Sequence, residues 1–221
     1  MTDITRRLAQ YIVASRAQDL PDAVRDEAPR AFVNWLGCAL GGSPDVSVST
    51  ALAALAPLSG PPQATVIGRA RRLDLVHAAF FNCLSSSSQA YDDTHLATIA
   101  HPTGVTAAGI LAFAEARNDR LKISGRDFLH ALVLGIEVQC RMSRMLVEPP
   151  ARSAVGLFMT GFTGAMGTAT AVGKLMGLDE QRMMWALSLA ATQGAGFRET
   201  HGSRSVGFVR AGVLRSTGFK F

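Results

Sequence analysis

Residues 153–173 read Ser-Ala-Val-Gly-Leu-Phe-Met-Thr-Gly-Phe-Thr-Gly-Ala-Met-Gly-Thr-Ala-Thr-Ala-Val-Gly, with no charged side chain among them. An uncharged run of that length either crosses a bilayer or passes through the middle of a packed protein. Composition separates the two. The segment is rich in Gly and Thr and short of Leu and Ile, which suits a helix closely surrounded by other helices rather than by hydrocarbon. Gly161, Gly164 and Gly167 form a GxxGxxG pattern, small residues at helical spacing that let a second backbone come near. The pattern lacks the GxGxxG order and the preceding strand of a dinucleotide fingerprint. We read residues 152–175 as one long buried helix. The fold class is then all-α, with the other helices wrapped around this one.

Working outward, apolar periodicity near 3.6 predicts helices over residues 4–17, 22–40, 48–58, 75–88, 101–117, 125–145 and 180–195. Leu20-Pro21, Gly41-Gly42-Ser43-Pro44, Gly60-Pro61-Pro62, Glu148-Pro149-Pro150 and Gly177-Leu178-Asp179 supply the breaks between them. Asp74 and Ser124 stand where helix caps belong, and Pro102 occupies a favourable first-turn position. Residues 64–68 read as a short strand and turn that pairs with 71–73, so the all-α class admits at most one small β-hairpin. No repeat, low-complexity tract or linker divides the chain. Residues 1–203 form one multi-helix domain in this reading, followed by an atypical basic, Gly-interrupted tail over 204–221.

The chain has 221 residues, of which 48% are hydrophobic and 18% charged, enough for a sizeable core and too apolar for global disorder. The net charge of +5 raises the question of nucleic acid. The Arg and Lys residues are scattered, however, and no block of them alternates with aromatics, so no nucleic-acid partner is expected. An anionic small molecule fits the charge as well. Cys38, Cys83 and Cys140 are odd in number and lack metal-like or CxxC spacing, which points to buried reduced thiols. No apolar stretch follows Arg6 and Arg7 as in a signal peptide, so the expected location is cytoplasmic, with no membrane contact.

Chemistry concentrates in Tyr91-Asp92-Asp93-Thr94-His95-Leu96-Ala97-Thr98-Ile99-Ala100-His101-Pro102-Thr103-Gly104, a loop that runs into a helix N-terminus. Removing a proton beside a carboxylate needs a base, an acid for the leaving group, and positive charge or donors where negative charge develops. Imidazoles serve the first two roles, and free N–H groups at a helix start serve the last. Asp92, Asp93, Thr94, His95 and His101 are therefore the candidate constellation, against the plainer alternative that the acids and Thr94 only cap a helix. His95 and His101 are six apart, which matches no standard zinc pattern, so no metal is expected. A second polar cluster spans residues 193–203. There Arg198 can hold a carboxylate through paired hydrogen bonds and His201 can exchange a proton.

These blocks resemble the MmgE/PrpD family. The resemblance covers residues 4–201. It is carried by the Asp-Asp-Thr-His and His-Pro loop, by Asn34-Trp35-Leu36-Gly37-Cys38-Ala39-Leu40-Gly41-Gly42, by Val66-Ile67-Gly68 with Ala78-Ala79-Phe80-Phe81-Asn82, and by Gly161-Phe162-Thr163-Gly164 through Gly173-Lys174-Leu175-Met176-Gly177-Leu178. It implies a lyase, a dehydratase or decarboxylase, acting on a small di- or tricarboxylate by metal-independent acid–base chemistry without a cofactor. Catalytic roles then fall to Asp93, His95 and His101, and substrate binding to Asp92, Thr94, Arg198 and His201. The nearest alternatives are an epimerase or racemase of a small diacid, and a non-catalytic helical dimerisation fragment. Three departures mark the chain as a subgroup. Phe158 stands where the family usually has a histidine, no lysine stands just after the segment 197–203, and Ala90 replaces an acid before Tyr91. Family chains are about twice as long and continue into a second α/β domain. A truncation or frame change near Ser205 is the expectation, together with self-association, as a homodimer, through the apolar face left uncovered and little lyase activity of this length alone.

Overall fold

The computed structural model describes residues 3–147 and 156–197. Among these residues the chain forms eight α-helices and one two-stranded hairpin. The helices are α1 (Ile4–Ala14), α2 (Asp22–Gly42), α3 (Val46–Leu55), α4 (Leu75–Ser87), α5 (Pro102–Arg117), α6 (Gly125–Val147), α7 (Met159–Leu175) and α8 (Glu180–Ala191). Strands β1 (Ala64–Val66) and β2 (Arg71–Leu73) pair antiparallel with Ala64 opposite Leu73. The all-α class with its single small hairpin is as expected from the periodicity.

Helix α7 is the centre of the assembly. It is buried from Met159 to Gly173, except at Phe162 and Met166, and packs against α5, α6 and α8. Glycines set its closest approach. A Cβ at Gly167 would lie 2.8 Å from the Gly135 carbonyl oxygen of α6, and one at Gly135 would lie 2.7 Å from the Gly167 carbonyl oxygen. The reciprocal contact lets the two backbones touch. Around this axis, Trp35 of α2, Phe81 of α4, Ile110 of α5 and Leu132 of α6 are fully buried; each such side chain stabilises the fold by roughly 1.5–3 kcal/mol. No helix among the described residues is long and apolar enough to cross a membrane.

Several ends differ from the periodicity. Helix α7 begins at Met159, not at residue 152. Gly156 is left-handed with φ +61°, Leu157 bridges Phe197, and the Phe158 amide donates to the Gly196 carbonyl at 3.0 Å. This non-local pairing holds the chain extended up to the first turn. Helix α1 stops at Ala14 instead of reaching residue 17. The carbonyls at its end, of Ile12, Val13 and the following Ser15, accept from the Lys174 ammonium at 3.0, 2.8 and 2.7 Å, a cation at the negative end of a helix. Helix α8 ends at Ala191, four residues early, where the Thr192 and Gln193 amides turn back onto Leu189 and Ala190. Of the cysteines, Cys83 is buried as expected, while Cys38 and Cys140 are only half-buried; all three are thiols rather than disulfides. Burial pushes the Cys140 thiol up to about 11.

Two side chains fix α4, the helix that leads into the next loop, within the frame. Asp74 caps α4 by accepting from the amides of Val76 and His77, both at 2.9 Å. Asn82, further along α4, donates to the Thr65 carbonyl at 2.9 Å and accepts from the Ile67 amide at 2.8 Å, so the hairpin lies fixed against the helix.

Candidate active site

The segment between α4 and α5 carries the loop singled out in the sequence. Two of its non-glycine residues are left-handed, Ala90 with φ +56° and Ile99 with φ +55°. Strain of this kind, most marked at a β-branched residue, persists only where the surroundings over-determine the backbone. Around Ile99 they do. The His95 amide donates to the Ala100 carbonyl at 2.8 Å, and the Thr98 and Ile99 amides donate to the His95 carbonyl at 3.0 and 2.8 Å. The His95 ring closes the same turn, its Nδ1 2.8 Å from Thr98 Oγ1.

His101 is the last residue before α5, and its ring is held by the acidic end of the loop. Its Nδ1 lies 3.0 Å from the Asp93 carbonyl oxygen, 3.2 Å from Thr94 Oγ1 and 3.7 Å from Asp92 Oδ1. A carbonyl oxygen can only accept, so Nδ1 carries a hydrogen. In the neutral ring the lone pair is then on Nε2, the atom free for proton transfer.

Asp93 and Asp92 behave differently from surface acids. The Thr103 hydroxyl donates to Asp93 Oδ2 at 2.8 Å. Asp93 thus holds a side chain in the first turn of α5, so a structural role applies to it as well. Burial pushes the Asp93 carboxyl up, helped by the neighbouring Asp92 charge, against the lowering hydrogen bond from Thr103. Asp92 is nearly enclosed, its side chain 4% exposed. One oxygen of each, Asp92 Oδ2 and Asp93 Oδ1, is buried with no hydrogen-bond partner among the described residues. Asp93 and Thr103 also line a cleft of about 920 Å³ between α1, α2 and α6, with Tyr91, Asn34 and Tyr11 in its walls.

The structure therefore brings Asp92, Asp93, Thr94 and His101 together. It turns His95 towards Thr98 within its own loop, and Thr94 and His101 are not part of the cleft wall that Asp93 lines. Arg198 and His201 lie outside the described residues. Two further residues belong to the site. Thr103 is legible in principle, since a hydroxyl in the first turn after Pro102 faces the loop before it. The other is Thr160, whose Oγ1 accepts the His101 amide at 2.9 Å from 59 residues away; no local signal announces that contact. Phe158, at the start of α7, is buried.

The chain is similar to human cis-aconitate decarboxylase, with 31% identity over 197 residues that cover 87% of the chain and 40% of that protein. It is 29% identical to the mouse cis-aconitate decarboxylase over 197 residues, covering 87% and 39%. With the cis-aconitate decarboxylase of Aspergillus terreus it shares 25% over 216 residues, covering 97% of the chain and 44% of the relative. The chain thus spans about two fifths of the length of these curated relatives. The family model of the MmgE/PrpD N-terminal domain matches residues 6–213. That match takes in every described helix from the first turns of α1 to α8, together with the acidic loop and its histidines, and the chain belongs to the MmgE/PrpD family.

Proposed function

We propose that the chain is the helical part of a carboxy-lyase that acts on a small tricarboxylate of the cis-aconitate type. The observation that carries the reading is His101, whose Nδ1 is committed to the Asp93 carbonyl, with the enclosed Asp92 carboxyl beside the ring and Nε2 left for chemistry. The relatives' names supply the substrate class.

Loss of carbon dioxide breaks a carbon–carbon bond and leaves its electron pair on the substrate, where a proton must arrive. In this reading the imidazolium of His101 delivers that proton from Nε2 and recovers one from solvent. Asp92 and Asp93 balance the ring's charge and fix its direction. The hydrogen bond between His101 and Thr160 puts the start of α7 next to the start of α5. Two positive helix ends favour the remaining substrate carboxylates and the charge that develops on them. Thr94 stands beside the ring as a further hydroxyl for the substrate. His95 serves as the residue that closes the loop, and Arg198 and His201 are proposed as further carboxylate contacts. The proton transfers and charge stabilisation require no metal or cofactor.

The test is carbon dioxide release by the complete enzyme, of which this chain is the proposed helical part, from cis-aconitate carrying 13C in its carboxyls, followed by NMR, with and without chelator. Release that survives chelation and falls by about 10²-fold or more in His101→Gln supports the reading. Release unaffected by His101→Gln, or a product that has gained water rather than lost carbon dioxide, contradicts it.

A further inference from the structure

His101 is pinned twice, and one of the two pins lies on a different element. The ring is held by its own loop, through the Asp93 carbonyl. The backbone is held by Thr160, the second residue of α7, whose Oγ1 accepts the His101 amide at 2.9 Å. Thr160 is fully buried. An amide at the edge of a helix has no intrahelical acceptor, so a side-chain oxygen in this place decides where the backbone rests.

The start of α7 is itself rigidly held. The Phe158 amide donates to the Gly196 carbonyl and Leu157 bridges Phe197. One turn on, the Thr163 hydroxyl donates to the Met159 carbonyl at 2.8 Å and sits 2.8 Å from Ser143 Oγ of α6. The loop on the other side of His101 holds left-handed Ile99 two residues away. A strained turn and a fixed helix thus meet at one peptide, and the Thr160 hydroxyl is where they are joined.

We propose that Thr160 is a positioning residue of the site: its hydroxyl oxygen fixes the His101 backbone and, through it, which ring nitrogen faces the substrate. The proposal rests on the reading of His101 as the proton-transfer group. Thr160 touches no reacting atom, and its role is distinct from packing, because an isosteric side chain without the oxygen would fill the same space.

The experiment uses the whole chain labelled with 15N in its histidine rings, compared with Thr160→Val and Thr160→Ser. Wild type and Thr160→Ser are expected to show His101 with its hydrogen on Nδ1. In Thr160→Val the two His101 ring signals should move towards each other as the tautomers mix, while the His77 and His130 signals stay in place. A His101 tautomer unchanged in Thr160→Val overturns the proposal, and so does a change of equal size in Thr160→Ser. Should Thr160→Val fail to fold, amide exchange of the wild type decides. A His101 amide as protected as those of α7 supports the contact, and one exchanging as fast as Leu96 overturns it. Tautomer mixing in a protein whose carbon dioxide release ignores His101→Gln would keep Thr160 as the anchor and sink the lyase role of His101.

Discussion

Asp93 shows how one residue can be read two ways and serve both. It holds the first turn of α5 through Thr103, and burial raises its carboxyl. The sign of the stability effect follows. With a folded-state value above the unfolded one, the native state binds the proton more tightly, so stability falls as pH rises from the unfolded value near ~3.9 through the raised one, and stays lower above it. Asp93→Asn removes the ionisable group while leaving an oxygen for Thr103. The expected outcome is a higher melting temperature at neutral pH, a flatter pH dependence of stability, and about 10²-fold lower activity. Thermal melts across acidic and neutral pH check it; a variant less stable than wild type at pH 7 would mean the charge is not strained. His95 teaches the opposite lesson. Spacing groups it with His101, but a left-handed Ile99 and the Thr98 hydroxyl keep it within its own turn, and sequence spacing carries no information on that.

At the scale of elements, the ends report on capping and the contacts on side-chain size. Burial alone would raise the Asp74 carboxyl. The amides of His77 and Gly60, the Ser59 hydroxyl and the His77 ring outweigh it and hold the group at about 2. Its contribution is then present above the unfolded value near ~3.9, worth roughly 2 kcal/mol, and is lost as pH falls through about 2. Asp74→Ala should lose about that amount at neutral pH, and denaturant midpoints should converge with wild type in strong acid. Gly135→Ala places a methyl group against Thr106 and 2.7 Å from the Gly167 carbonyl oxygen; a destabilisation of about 1–3 kcal/mol is expected, read by urea melts. The periodicity gave the number and kind of helices because each buries a continuous apolar stripe. Pro102 placed the start of α5 to within one residue. The start of α7 was hidden, because Leu157 meets Phe197 across a stretch of chain that no window of sequence can relate.

In the molecule as a whole, the central apolar helix was legible from composition and the site was legible as a cluster. The joint between them, Thr160 on His101, was not, since it exists only once α7 lies beside α5. The outer surface makes its own prediction. Trp185 and Leu189, one turn apart on α8, are 60% and 53% exposed, an apolar pair more typical of a contact than of a free surface. The chain should self-associate at micromolar concentration, and Trp185→Glu should shift light-scattering mass towards the monomer; an unchanged mass would place the contact elsewhere.

The central claim is that His101 meets a carboxylate substrate through Nε2. Titrating the chain, with 15N in its histidine rings, with cis-aconitate tests this most directly. The account predicts a saturable shift of the His101 Nε2 signal, with Nδ1 still bearing its hydrogen, and loss of that response to the ligand in His101→Gln. A His101 ring that stays unmoved at saturating cis-aconitate, or one that responds equally to any simple anion at the same ionic strength, would contradict it.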